Sequence, residues 1–244
     1  MSEPAVTADE MMAVTISRLI RDGETVATGA NSPIPMAGCL LATRLHAPTT
    51  RVIVLRSGHT PFPGGKEFFD FAQRGRLDVF FLGGIQIDAH ANINLHVLGD
   101  YEHPQRRFPG AFGSGVMYFV AKRTILFRTE HTRRIFVPRV DFITSPGSSR
   151  PDVKRLGGPS KVVTPLALLN YNRDTGLLEL ESVHPGHTLD EVRENTGFEL
   201  PVPDGAGMTP PPTAEELALL RGSVLDEVAD VYPQYVARVR AVSV

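Results

Sequence analysis

Val52-Ile53-Val54-Leu55-Arg56-Ser57-Gly58 reads as a strand that ends abruptly in a polar, glycine-containing turn. An unbroken apolar run without alternation predicts a parallel strand covered on both faces. The loop at the carboxyl end of such a strand is where open α/β sheets bind ligands. The same grammar recurs on both sides. Thr25–Thr28 is a short strand ending at Gly29, and Asp78-Val79-Phe80-Phe81-Leu82 stops at Gly83-Gly84. Further strands are expected at Ile93–Leu98, Thr124–Phe127, Arg134–Val137, Val162-Val163 and Leu166–Leu169. Asn172-Arg173-Asp174-Thr175-Gly176 then signals a hairpin turn into a return strand, Leu177–Ser182.

Helical segments alternate with these strands, which is the mark of an α/β domain. Thr7-Ala8-Asp9-Glu10 has the capping-box spacing, followed by Met12, Ile16, Leu19 and Ile20 at helical period, with Gly23 placed to close the helix in a left-handed cap. A second helix is expected from about Pro35 to Leu45 and a short one over Phe68–Gln73. Two more capping boxes follow, Thr188-Leu189-Asp190-Glu191, whose helix Asn195 and Gly197 can close, and Thr213-Ala214-Glu215-Glu216. The fold class is thus α/β, an open, mostly parallel sheet flanked by helices. Residues 1–200 form the main domain; residues 201–244 are a Pro/Gly connector and a C-terminal helix that packs on the domain or on a partner.

Composition narrows the function. The net charge of -2, with dispersed basic residues, offers no stripe for nucleic acid or for an anionic membrane. Met1–Asp9 lacks an apolar signal core, and no apolar run approaches a membrane span. The single cysteine, Cys39, lies in a small, apolar stretch and reads as a buried structural thiol in a reducing, cytoplasmic compartment. No His/Cys spacing suggests a metal, and no permanently bound cofactor is expected. The eight histidines include no partner to a G-x-S-x-G serine, so serine-hydrolase chemistry lacks its motif.

What remains is a set of glycine-rich loops: Thr28-Gly29-Ala30-Asn31-Ser32, Arg56-Ser57-Gly58-His59, Gly83–Asp88 and Gly110-Ala111-Phe112-Gly113-Ser114-Gly115. Glycine lets backbone N–H groups approach a bound oxyanion without a side-chain clash. Gln86 and Asp88 read as structural, since an acid after a strand commonly fixes a loop by bonding backbone N–H groups.

Taken in order, these motifs resemble the β subunit of family I CoA-transferases, most closely the glutaconate CoA-transferase type. The resemblance runs through Glu10–Ile16, Thr28-Gly29, Gly83-Gly84-Ile85-Gln86-Ile87-Asp88 with Asn92-Ile93-Asn94, Gly99-Asp100-Tyr101 with His103-Pro104, Arg107-Phe108, Asp141–Gly147 and Glu194–Phe198. It implies the CoA-transferase/sugar-phosphate-isomerase-like fold, an obligate α-type partner subunit, an active site near the subunit interface, and an acyl-CoA thioester as substrate. The family's route is ping-pong, through a glutamyl-CoA thioester. Its attacking glutamate sits in Glu-Ser-Gly after a buried strand, where this chain has Arg56-Ser57-Gly58. A guanidinium stays protonated and cannot attack a thioester.

Three readings follow from that departure. The first is a hydrolase or C–C-cleaving enzyme on a CoA thioester, like the steroid ring-opening relatives whose α subunit supplies the key acid. The second is a transferase with a relocated carboxylate, Glu67 or one from the partner. The third is a non-catalytic partner subunit. A sugar-phosphate isomerase would rest on fold alone. In the first reading Arg56 orients a substrate carboxylate or carbonyl, Gly29, Asn31 and Ser32 line the acyl pocket, Gly113, Ser114 and Gly115 approach the CoA or the oxyanion, and Ser57 and His59 add polar contacts.

Overall fold

The computed structural model describes residues 6–55, 60–110 and 113–242. In chain order the elements are α1 (Ala8–Leu19), β1 (Thr25–Thr28), α2 (Pro33–Leu45), β2 (Arg51–Val54), α3 (Gly65–Phe71), β3 (Val79–Leu82), β4 (Gln86–Ile87), β5 (Ile93–Asn94), β6 (Val97–Gly99), β7 (Pro104–Arg107), α4 (Ser114–Val120), β8 (Arg123–Phe127), β9 (Pro159–Val163), β10 (Ala167–Asn172), β11 (Leu177–Val183), α5 (Leu189–Asn195), β12 (Gly207–Met208), α6 (Ala214–Leu219), α7 (Leu225–Ala229) and α8 (Pro233–Val242). They fall into two compact units. One comprises the described residues up to Pro63 and from Pro211 onward; the other is Gly64–Pro210.

In the first unit β1 and β2 pair in parallel, Thr25 with Arg51 through Thr28 with Val54. Helices α1 and α2 are buried along most of their length, α1 from Glu10 to Ser17 and α2 from Ile34 to Ala42. The C-terminal helices are tied to α1 by two reciprocal ion pairs. Glu10 completes the Thr7 capping box by accepting the Thr7 N–H at 2.9 Å, and it also receives Arg221 Nε at 2.6 Å. Glu216 completes the Thr213 box and receives Arg18 Nε at 2.8 Å and Nη2 at 2.7 Å. Burial pushes each carboxyl up, but the facing guanidinium and the cap donors outweigh it and leave both below the usual carboxylate range.

The second unit holds a sheet in the order β12-β11-β10-β9-β8-β3. Strands β3, β8 and β9 run parallel; β9-β10 and β10-β11 are antiparallel, and β12 joins β11 in parallel. Two small antiparallel ribbons, β4-β5 and β6-β7, lie outside it. The core gathers Ile87, Tyr118, Leu126, Phe136, Val162 and Leu178. The expected architecture therefore stands: of the six ladders within these two groups, four are parallel.

Several local expectations are corrected. Residues 134–137 do not form a strand. The N–H groups of Ile135 and Phe136 both donate to Thr132 O, closing a turn, and only Phe136 bridges Ile87. Helix α1 ends at Leu19 with Ile20 extended, so Gly23, at φ 80°, serves the following turn and not a helix cap. Strand β2 is less covered than its composition predicts: Ile53 is buried, but Arg51 is exposed and Val52 and Val54 are partly so. At α5 only half of the capping box forms, because Glu191 is engaged by His187 Nδ1 at 2.9 Å and does not reach back to the cap. Gly197 closes no helix; its N–H donates to Phe136 O at 2.7 Å, and α5 ends in an extended Thr196.

Two histidines inside the second unit give the fold a pH dependence. His131 is held between Thr164 and Thr196 hydroxyls at 2.9 and 3.0 Å, and His184 Nδ1 meets Thr209 at 2.9 Å while its Nε2 has no hydrogen-bond partner among the described residues. Burial lowers both rings to about 4. The unfolded chain binds these protons near pH 6.5 and the folded chain only near 4. Stability is therefore full above about pH 6.5 and is lost as pH falls toward 4, by roughly 3 kcal/mol per histidine. The melting temperature is expected to drop steeply across that window, and His184→Asn, which keeps a polar atom at the δ position, flattens the slope. A variant as acid-sensitive as the parent would refute this assignment.

Candidate functional site

Chemistry in this architecture collects where parallel strands end. In the first unit β1 and β2 finish side by side, with the Leu55 N–H donating to Thr28 O at 3.1 Å. Leu55 is thus fixed at the carboxyl end of β2, and the chain passes directly into Arg56. Arg56, Ser57 and His59 lie outside the described residues.

The loop after β1 is described. Gly29 leads to Ala30 and Asn31, both exposed; Asn31 takes φ 59°, a left-handed conformation that asparagine tolerates better than most side chains. Ser32 is buried and occupies the N-cap of α2 without a side-chain capping bond. Tyr232, from the C-terminal segment, clasps the loop: its hydroxyl accepts the Ser32 N–H and donates to Gly29 O, each at 3.3 Å. The first turn of α2 contains Pro33 and Pro35, which have no N–H. Ile34 alone keeps one of the donors that make a helix start attractive to phosphate. With two of its first three helical N–H donors missing, this helix start is poorly equipped to grip a phosphate. The buried Thr28 hydroxyl beside this loop has no partner among the described residues.

In the second unit Gly113, at φ 71°, is the N-cap of α4, and the Phe69 ring lies where a β-carbon would sit, 2.3 Å from its Cζ. Ser114 is buried, and Gly115 faces Thr144 O and Ser145 Oγ at ordinary contact distance. The hydroxyl of Ser145 is buried without a partner among the described residues. The structure thus places Gly29, Asn31 and Ser32 on the loop between β1 and α2, and Gly113, Ser114 and Gly115 at the start of α4.

Gln86 and Asp88 are structural, as their place after a strand suggests. The Asp88 carboxylate accepts the N–H groups of His90 and Asn92 at 3.0 and 3.1 Å and the Asn92 amide at 3.0 Å. Gln86 joins Asn94 to the Asp141 backbone, and Asp141 in turn accepts the Gly99 N–H at 2.8 Å. His103 sits in a turn closed by Asp100, whose carboxylate accepts the Glu102 and His103 N–H groups. Cys39 is fully buried, which pushes its thiol up and away from reactivity. Among the described residues no three His, Cys, Asp or Glu side chains converge as metal ligands, and no helix is long and apolar enough to cross a membrane.

Sequence reading missed Arg128. It follows the buried strand β8 directly, as Arg56 follows the apolar run Val52–Leu55, but it interrupts no family motif. Its side chain lies over Gly83 at the end of β3, where a β-carbon would be 3.9 Å from Arg128 Cδ. Its Nε is buried and has no partner among the described residues.

Comparison with known proteins places this arrangement. The family model for coenzyme A transferase matches residues 53–195. One of the subunits of the glutaconate CoA-transferase of Acidaminococcus fermentans is 30% identical over 85% of this chain and 89% of its own. The crystal structure of that transferase superposes with a TM-score of 0.82, at 28% identity, over 94% of this chain and 99% of the matched one. The cholesterol ring-cleaving hydrolase IpdB subunit of Rhodococcus jostii is 29% identical over 91% of this chain and 93% of its own. The decarboxylase AibA/AibB superposes with a TM-score of 0.77, at 25% identity, over 92% of this chain and 99% of the matched one. Enzymes of three different activities therefore share this framework nearly end to end, and with a family model spanning more than half of it, the chain belongs to the coenzyme A transferase family.

Proposed function

We propose that this chain is the β-type subunit of a heteromeric enzyme that acts on an acyl-CoA thioester, and that the assembly hydrolyses or cleaves its substrate instead of passing CoA between acids. One observation carries the proposal: Arg56-Ser57-Gly58 directly follows the apolar run Val52–Leu55, and the family resemblance assigns the attacking glutamate to the position of Arg56. The relatives support the assembly, since the transferase and the hydrolase are named as subunits and the decarboxylase as a pair. They also support the departure from transfer, since two of the three are not transferases by name.

In this reading the CoA thioester is substrate and the chain holds no permanent cofactor. Arg56 presents a fixed two-pronged donor to a carboxylate or carbonyl of the acyl group. Gly29, Asn31 and Ser32 line the acyl pocket, with Ser57 and His59 as polar contacts. Backbone N–H groups at Gly113, Ser114 and Gly115 face the CoA or the oxyanion that forms when the thioester carbonyl is attacked. The carboxylate that activates water or abstracts a proton comes from the α-type partner. A cytoplasmic setting suits the free Cys39 thiol.

Ordinary transfer is the second reading, because the glutaconate-type relative is a transferase. Its carboxylate would be Glu67, exposed in the first turn of α3, or one from the partner. The two separate on one assay with the assembled complex. Hydrolysis or cleavage releases free CoA without any acceptor acid. Transfer needs the acceptor and exchanges its label into the acyl-CoA pool. Acceptor-dependent exchange with ping-pong kinetics would overturn the proposal.

A further inference from the structure

We infer that Arg128 is a carboxylate-binding residue, poised to hold a free carboxylate on the acyl portion of the substrate; this deepens the acyl-CoA reading above. The guanidinium stands at the carboxyl ends of β3 and β8, its stem crossing Gly83. Its backbone is fixed there, since the Arg128 N–H donates to Val163 O at 3.0 Å. No hydrogen bond or ion pair reaches its side chain from the described residues, and its buried Nε is unsatisfied. The nearest acid in sequence, Glu130, is already paired with Arg134 at 2.7 Å. Arg128, Glu130 and Arg134 together leave one positive charge in excess at the strand ends.

A half-buried cation whose nearby acid, Glu130, is shared with Arg134 is costly unless a ligand completes it. The planar fork of arginine matches a carboxylate in two parallel bonds. One excess charge in a partly desolvated place suits a monoanion better than the multiply charged phosphates of CoA. The anion could be the substrate's own carboxylate or a carboxylate side chain of the partner subunit; measurements of binding and of assembly separate the two.

The test uses the complex assembled with its α-type subunit, in wild-type, R128Q and R128K forms, checked by thermal melting. Calorimetry measures binding of succinate, glutarate and adipate, with butyrate for comparison, and of free CoA. The expected result is that the best diacid binds wild type at least about tenfold more tightly than it binds R128Q, with partial recovery in R128K. Equal diacid affinity in wild type and R128Q overturns the inference, as does absence of diacid binding to wild type. Loss of CoA affinity in R128Q assigns the residue to phosphate, and loss of assembly in both variants assigns it to the partner; either overturns it. Acyl-CoA turnover by wild type is scored separately. A complex that turns over acyl-CoA without Arg128-dependent diacid binding sinks this inference alone. Arg128-dependent binding without turnover sinks the acyl-CoA reading alone.

Discussion

Replacing Arg56 by alanine is expected to lower acyl-CoA turnover by the assembled complex about 100- to 1,000-fold, the usual loss when one preorganised donor is removed from a reacting oxygen. The reason lies in what the residue supplies. In the proposed reaction its guanidinium donates two parallel hydrogen bonds to the substrate oxygen as charge develops there. Arg56→Lys restores charge but not the fork, so it is expected to recover only part of the rate. The melting transition and the assembly with the α-type subunit serve as controls. Unchanged turnover in a complex that melts normally would mean that this chain takes no part in the chemistry and only completes the assembly.

The second large effect concerns stability. Gly147→Ala is expected to cost about 3 kcal/mol, the upper end of the usual cost of overpacking. A β-carbon there would lie 1.9 Å from His90 O and 3.1 Å from the Ala91 carbonyl carbon. The 88–92 turn has nowhere to retreat. Asp88 holds the N–H groups of His90 and Asn92, the Tyr118 hydroxyl donates to Ala91 O at 2.6 Å, and the Leu178 N–H donates to Ala89 O at 2.7 Å. Gly147 is itself tied in, its N–H donating to Asn92 Oδ1 at 3.0 Å. Gly205→Ala, where a β-carbon would meet nothing within 4 Å, is the matched control and is expected to melt close to the parent. A melting temperature for Gly147→Ala within a degree or two of that control would show that the turn yields, against this assignment.

Local signals in the sequence were the ones that carried through. Strand β1 runs over Thr25–Thr28 as its composition predicts. The hairpin at 172–176 forms because Asn172 accepts from the Asp174 and Thr175 N–H groups and Gly176 takes φ 69°. The capping boxes at Thr7 and Thr213 close in full. Where a distant group competes, the local pattern loses: His187 draws Glu191 away from its cap, and the Thr132 carbonyl folds 134–137 into a turn. Long-range features left no local trace at all. Nothing in residues 29–32 announces a tyrosine 200 positions away that bonds their backbone. The arginine grips from Glu10 to Arg221 and from Glu216 to Arg18 are equally silent, because each glutamate looks fully explained by its cap. At the site, Arg56 is picked out by the family motif it interrupts; Arg128 shares only its place after a strand and interrupts no motif, so it passes unnoticed.

One experiment bears on all of this most directly. The assembled complex is incubated with an acyl-CoA that it turns over, reduced with borohydride, and this chain is weighed intact and after digestion. Borohydride converts an enzyme-bound thioester to an alcohol, so it records whether any carboxylate of this chain has attacked the substrate. The expected result is an unmodified chain while free CoA continues to be released. A reduced glutamate on this chain, at Glu67 or elsewhere, would contradict a reaction in which Arg56 stands in place of the nucleophile.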